Sequence, residues 1–259
     1  MDLGGSNAIL FSMAGRTDVE DDQGTAFAPA PAPPTEVTST SGGNSYPGFS
    51  CFTHTPFYCE ENVYMLCKKL SALGLADPVV LDLFVVFISN DHRMTPLWHQ
   101  KASKSPDGLV IWDYHVLCIQ KKGEQGFAHC LTWDLDSSLP FPLGLDKYVS
   151  EAIRPMFPLT STYRRLFRVI HAPIFLNYFA SNRAHMKDPL GNWISPPPSY
   201  EPIIAQDGCQ NNLQEYIGMH AVDVVTDIKA LSEGLYSNKF GVLIDEAMLE
   251  TFFSFVLWQ

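Results

Sequence analysis

With 259 residues the chain has room for one domain, or at most two small ones, and a hydrophobic fraction of 46% supplies a sizeable core. A net charge of −11 argues against nucleic acid or an anionic membrane as partner. None of the six cysteines forms a C-x-x-C pair and no secretory signal is visible, so the thiols read as reduced, in cytoplasm and nucleus, without structural zinc.

Residues 1–45 are poor in large apolar side chains and include the Ala/Pro-dense run Ala26–Pro34. Such a segment buries too little surface to offset its ordering entropy, so a disordered leader is expected there. A folded domain is expected over 46–245, followed by an apolar tail at 246–259. After Thr55-Pro56, Val63, Leu66, Cys67 and Leu70 recur at i, i+3, i+4 and i+7, which marks one buried face of a helix. Leu83–Ser89 is an uninterrupted apolar run of strand length.

Val110–Gln120 and Phe127–Asp136 flank the polar, glycine-containing stretch Lys121–Gly126 and read as a hairpin. Centring the turn sets His115 opposite Thr132, with Asp134 a diagonal neighbour on the same face and Asp136 out of reach opposite Ile111. Diagonal β-carbons lie roughly 7–8 Å apart, a gap that an imidazole and a carboxylate bridge. Leu145–Ile153 and Tyr163–Phe167 read as helical and Arg168–His171 as a short strand. Asn182–Pro202 reads as an irregular loop, and Leu213–Tyr216 and Asp227–Leu235 as short helices or turns. Met248–Trp258 is about half the ~20 residues a membrane span needs, which suits a docked helix or a separate tail.

Three stretches carry chemistry: Tyr58-Cys59-Glu60-Glu61-Asn62, Val110–Val116 and Trp133-Asp134-Leu135-Asp136. They offer a thiol, an imidazole and a carboxylate, the set with which a thiol hydrolase attacks an acyl carbon, moves the proton and aims the imidazole. Cys59 begins the helix, where backbone N–H groups and the dipole lower a thiol pKa; the plainer alternative is a buried structural cysteine, as for Cys67. His115 reads either as a satisfied core histidine or as the partner of Asp134. His171 and His185 are its rivals, without a derivable carboxylate. Glu60 and Glu61 either complement the helix dipole or receive a cationic substrate group. Trp112, Asp113 and Tyr114 complete the candidate substrate-binding set, with core or pocket wall the simpler role for the aromatics. A metal on the hairpin lacks a ligand set of diagnostic spacing, and no cofactor is expected.

Taken together, Tyr58–Asn62, Val86–Asn90, Val110–Val116, Asp134–Asp136 with Leu139–Pro142, Phe167–Ile170, His185–Asp188, Gly191–Trp193 and Pro196–Pro198 before Tyr200 resemble the protein N-terminal glutamine amidohydrolase family. The resemblance covers about Pro56 to Tyr200 in order. It implies an α/β (α+β) fold, an α-β-α sandwich around a mainly antiparallel sheet, related to papain- and transglutaminase-type cysteine hydrolases. It also implies a Cys59, His115 and Asp134 triad that deamidates N-terminal glutamine, in a monomer that feeds the N-degron pathway. The leader is longer than the family's, and the chain beyond about Gly241 departs from its pattern. Two alternatives share the residues: a protease or transglutaminase, although C-G-S-C-W is absent around Cys59, and a non-catalytic binding module.

Overall fold

The computed structural model describes residues 46–123 and 129–255. The expected leader, the tip of the expected hairpin turn and the last residues of the apolar tail lie outside them.

In chain order come α1 (Cys59–Ala72), β1 (Leu83–Ser89), β2 (Thr95–Leu97), β3 (Val110–Trp112), β4 (His115–Lys122), β5 (His129–Trp133) and β6 (Leu143–Gly144). Next is α2 (Leu145–Tyr148), which runs on as a π-helical turn, Val149–Ile153. Then follow β7 (Leu166–His171), α3 (Ala172–Tyr178), α4 (Leu213–Ile217), α5 (Ile228–Ser237), β8 (Val242–Asp245) and α6 (Glu246–Phe255). Six strands form one antiparallel sheet in the order β6-β5-β4-β1-β7-β8, and β2 and β3 make a separate ribbon.

β1 is buried along its whole length because it lies inside the sheet with helices on both faces. Phe84, Val86 and Ile88 pack with Leu117, Ile119 and side chains of α2, α5 and α6. On the opposite face Phe87 meets Phe175 of α3 and Tyr216 of α4, while Cys118 meets Cys67 of α1. The α-β-α sandwich is therefore observed, and the α1 stripe at Val63, Leu66, Cys67 and Leu70 is buried as its periodicity requires.

Several elements differ from expectation. Val110–Gln120 is two strands: β3 pairs with β2, Asp113-Tyr114 breaks the run, and β4 starts at His115. The register is also shifted by four residues along β4, since Ile119, not His115, faces Thr132. The cause is that β4 runs on to Lys122 and β5 begins only at His129, which moves the turn later. An even shift keeps every side chain on its face, so His115 and Asp134 still share one. Tyr163–Phe167 is not helical: Ser161–Tyr163 is a single 3₁₀ turn and β7 starts at Leu166, where pairing with β1 and β8 overrides local propensity. Sequence reading missed β8, and α6 docks Leu249, Phe252 and Phe253 into the core shared by β1 and β4. Among the described residues no helix is long and apolar enough to cross a membrane.

Gly241, which leads into β8, has φ +65°, and a β-carbon there would lie 2.1 Å from the Val169 carbonyl oxygen. Gly241→Ala should therefore destabilise by about 2–5 kcal/mol, combining a left-handed residue with a backbone clash. Thermal unfolding checks this, with an expected melting-point loss of roughly 5–15 °C for a domain of this size.

Candidate active site

Cys59 is the first residue of α1, and Tyr58 before it is fully buried. Phe57, with φ 70°, makes the sharp entry into the helix in a conformation that few non-glycine residues adopt. The entry is held from two sides. Asn62 accepts the Thr55 N–H and donates to the Thr55 carbonyl, each at 2.8 Å, and the Tyr58 hydroxyl donates to the Ser195 carbonyl at 3.1 Å. The first-turn N–H groups of a helix have no intrahelical acceptor, so they face whatever lies beside the thiol.

The Cys59 thiol is buried beside the backbone N–H of Val116, the residue after His115. Its pKa runs opposite to the helix-start expectation. Burial first, then the charges of Glu60, Asp136 and Asp113, push it well above the ordinary value, against the small opposing effect of the Val116 N–H. At rest the sulfur is a thiol that needs a base.

The candidate imidazole stands at the head of β4. His115 is fully buried, with Nε2 3.0 Å from Asp134 Oδ1. A carboxylate only accepts, so the proton sits on Nε2 and Nδ1 is left as the basic nitrogen. Nδ1 is buried without a hydrogen-bond partner among the described residues. Burial lowers the imidazole pKa, but Asp134, with help from Asp136, more than reverses this and leaves it raised. Asp134 follows β5 directly and is itself held by the Tyr148 hydroxyl at 2.7 Å and the Asp136 N–H at 3.0 Å. Burial opposes its ionisation, yet His115 and these donors hold it below the ordinary carboxylate range.

Asp136 points elsewhere, accepting from His54 Nε2 at 2.7 Å. His115, Asp134 and Asp136 bring ligand-type atoms within 4.8 Å of one another, the one such cluster among the described residues. Their hydrogen bonds join His115 to Asp134 and Asp136 to His54.

The acidic pair divides. Both oxygens of Glu61 are taken by Arg183 at 2.9 Å, in a fork that ties α1 to the loop around Pro198. Glu60 faces the thiol instead, with Oε2 3.7 Å from Sγ and accepting from the Tyr114 hydroxyl at 2.9 Å. Its Oε1 is buried and unbonded, although His185 Nε2 comes within 3.5 Å. Burial raises Glu60 to about 8 and lowers His185 to about 4, so it favours the neutral form of each group.

Trp112 stacks on the His115 ring at 5.2 Å and 22°. Asp113 is exposed, with Oδ1 accepting the Tyr114 N–H at 3.0 Å. His171, the other rival imidazole, is spent on the Leu81 carbonyl at 3.0 Å. Sequence reading missed Tyr148, Asn62, His54 and Arg183. Only the arginine left a signal, as a cation able to match one of two adjacent buried acids.

Arg183→Met should cost about 3–5 kcal/mol, because it leaves the Glu61 carboxylate buried and unpaired. Chemical unfolding checks this, and adding Glu61→Gln should restore part of the loss by removing the stranded charge.

Residues 54–253 match the family described as N-terminal glutamine amidase, so the departure expected beyond Gly241 does not hold. The chain is 58% identical over 205 residues to a protein N-terminal glutamine amidohydrolase of Oryza sativa subsp. indica, covering 79% of this chain and 88% of that protein. Identity to the protein of the same name in Arabidopsis thaliana is 52%, covering 78% and 92%, and to that in Drosophila melanogaster 40%, covering 73% and 89%. The thiol, imidazole and carboxylate all lie within the matched span, and the chain belongs to the N-terminal glutamine amidase family.

Proposed function

We propose that this protein hydrolyses the side-chain amide of an N-terminal glutamine to glutamate, releasing ammonia. The observation that carries the reading is a buried thiol at a helix start, beside the backbone N–H of Val116, which follows an imidazole whose Nε2 is committed to a carboxylate and whose Nδ1 is unbonded. The names of the relatives point to the same chemistry. His115 Nδ1 takes the thiol proton as sulfur attacks the amide carbon, and the first-turn N–H groups of α1 receive the oxyanion. The resulting imidazolium protonates the leaving nitrogen, and ammonia departs from a thioester. His115 then takes a proton from water, hydroxide attacks the thioester carbon, and the thiolate leaves and is reprotonated. Asp134 stabilises the imidazolium in each half.

Glu60 is the group that receives the substrate's α-ammonium, because its Oε1 is buried and open while its Oε2 lies 3.7 Å from the thiol. Arrival of a cation would drive its proton off, so binding creates the charge that it needs. Glu61, whose oxygens are used by Arg183, keeps the position of α1. Trp112 and Tyr114 shape the site through His115 and Glu60. In cytoplasm and nucleus, the new N-terminal glutamate would enter the N-degron route.

The direct test is ammonia release from Gln-initiated and acetyl-Gln-initiated peptides, with mass spectrometry following the gain of about one dalton. We expect turnover of the free-amine peptide alone, a loss of ~10⁴-fold or more in Cys59→Ala, and a KM about 10–100-fold higher in Glu60→Gln. Equal rates on the two peptides would remove amine recognition and favour a general glutaminase or transglutaminase-like enzyme.

The pH profile supplies a second test. His115 must be neutral to accept the thiol proton, and its pKa is raised above the ordinary 6.5. The acid limb of kcat/KM should therefore lie above pH 6.5, with activity lost as pH falls through it. Asp134→Asn should move that limb to lower pH and cut kcat by on the order of 10²–10⁴-fold. Asp136→Asn, whose carboxylate bonds His54, should do much less.

A further inference from the structure

Gln100 lies between β2 and β3 and is buried at 2% exposure, yet no step above uses it. Its side chain is bonded at both ends. Oε1 accepts the indole N–H of Trp112 at 3.2 Å, and Nε2 donates to the Trp98 carbonyl at 3.1 Å. These partners fix the amide without ambiguity, since an indole only donates and a carbonyl only accepts.

Two restraints meet on the imidazole. His115 bonds Asp134 at 3.0 Å, and Asp134 accepts from Tyr148 at 2.7 Å, which sets the in-plane orientation of the ring. Gln100 holds the Trp112 indole, and Trp112 stacks on the His115 ring at 5.2 Å. The amide thus governs the out-of-plane tilt of the ring through Trp112. The Gln100 backbone is anchored too, with its N–H on the Gly108 carbonyl at 2.9 Å and a β-bridge to Ser137, next to Asp136.

We propose that Gln100 is a positioning residue, which acts through Trp112 to hold the His115 ring where Nδ1 can exchange a proton with Cys59. The inference rests on the proposed amidohydrolase reaction for its kinetic readout but has a second readout that is independent of substrate. The amide both donates and accepts, so a methionine there keeps the volume and breaks both bonds.

The experiment compares wild type, Gln100→Met and Trp112→Phe. Ammonia release from a Gln-initiated peptide gives kcat and KM, and the pH dependence of Cys59 alkylation by iodoacetamide is followed by peptide mass spectrometry, with Cys59→Ala as blank. Gln100→Met should lower kcat about 10–100-fold, the scale of a small misplacement of a reacting group. KM should stay within about twofold, and the alkylation profile should shift along the pH axis. Trp112→Phe, which keeps a stacking ring but loses the indole N–H, should move both readouts in the same direction by less. An alkylation profile and kcat equal to wild type in a folded Gln100→Met protein would overturn the proposal. Should Gln100→Met not fold, an unchanged Trp112→Phe would overturn it equally. If wild type released no ammonia from the peptide while Gln100→Met still shifted the alkylation profile, the assigned reaction would fail and the positioning role would stand.

Discussion

Asp134 is an ionised carboxylate with almost no access to water, and it keeps its charge only because three donors converge on it: the His115 imidazole, the Tyr148 hydroxyl and the Asp136 N–H. Stranding such a charge costs several kcal/mol, so the chain around it is built to deliver those donors. β5 ends at Trp133 to release Asp134 from the ladder, α2 begins just beyond β6 to bring Tyr148 across, and β4 starts at His115 itself. The breaks in regular structure near the site are where the sheet gives up its own pairing in favour of a dry electrostatic one.

That arrangement fixes how the thiol is activated. A helix start favours a thiolate, but here burial and neighbouring acids outweigh it. On the proposed reaction the site resembles a serine hydrolase in its logic more than a preformed thiolate–imidazolium pair, with the base taking the proton during attack. A neutral thiol at rest is also protected from adventitious oxidants, whose target is the thiolate. Glu60 follows the same pattern, its pKa pushed up by burial to about 8.

Much of this was legible in the sequence, for reasons that differ from residue to residue. Leu83–Ser89 and the stripe on α1 are periodic patterns imposed by burial, which local reading captures. The His115 and Asp134 pairing came out right although the register was wrong by four residues, because strand parity is insensitive to even shifts. β7 was misread in part because its identity depends on β1 and β8, whose nearest edges lie tens of residues away. The contrast between Glu60 and Glu61 was invisible for a similar reason: it is decided by Arg183, 122 residues along the chain. Gln100 shows the same limit, since its partners meet only when the sandwich has closed.

The fork between Glu61 and Arg183 has a bearing on synthesis as well as on the finished protein. The thiol, imidazole and carboxylate all leave the ribosome early, at positions 59, 115 and 134 of 259. β7, which covers the open edge of β1, comes later, and the guanidinium that neutralises Glu61 later still. A nascent chain thus carries its complete set of reactive groups well before it owns the parts that hold them in place. Chains released prematurely before Leu166 would expose an unpaired, wholly apolar β1 edge, which marks them for aggregation or disposal before they could act on any substrate.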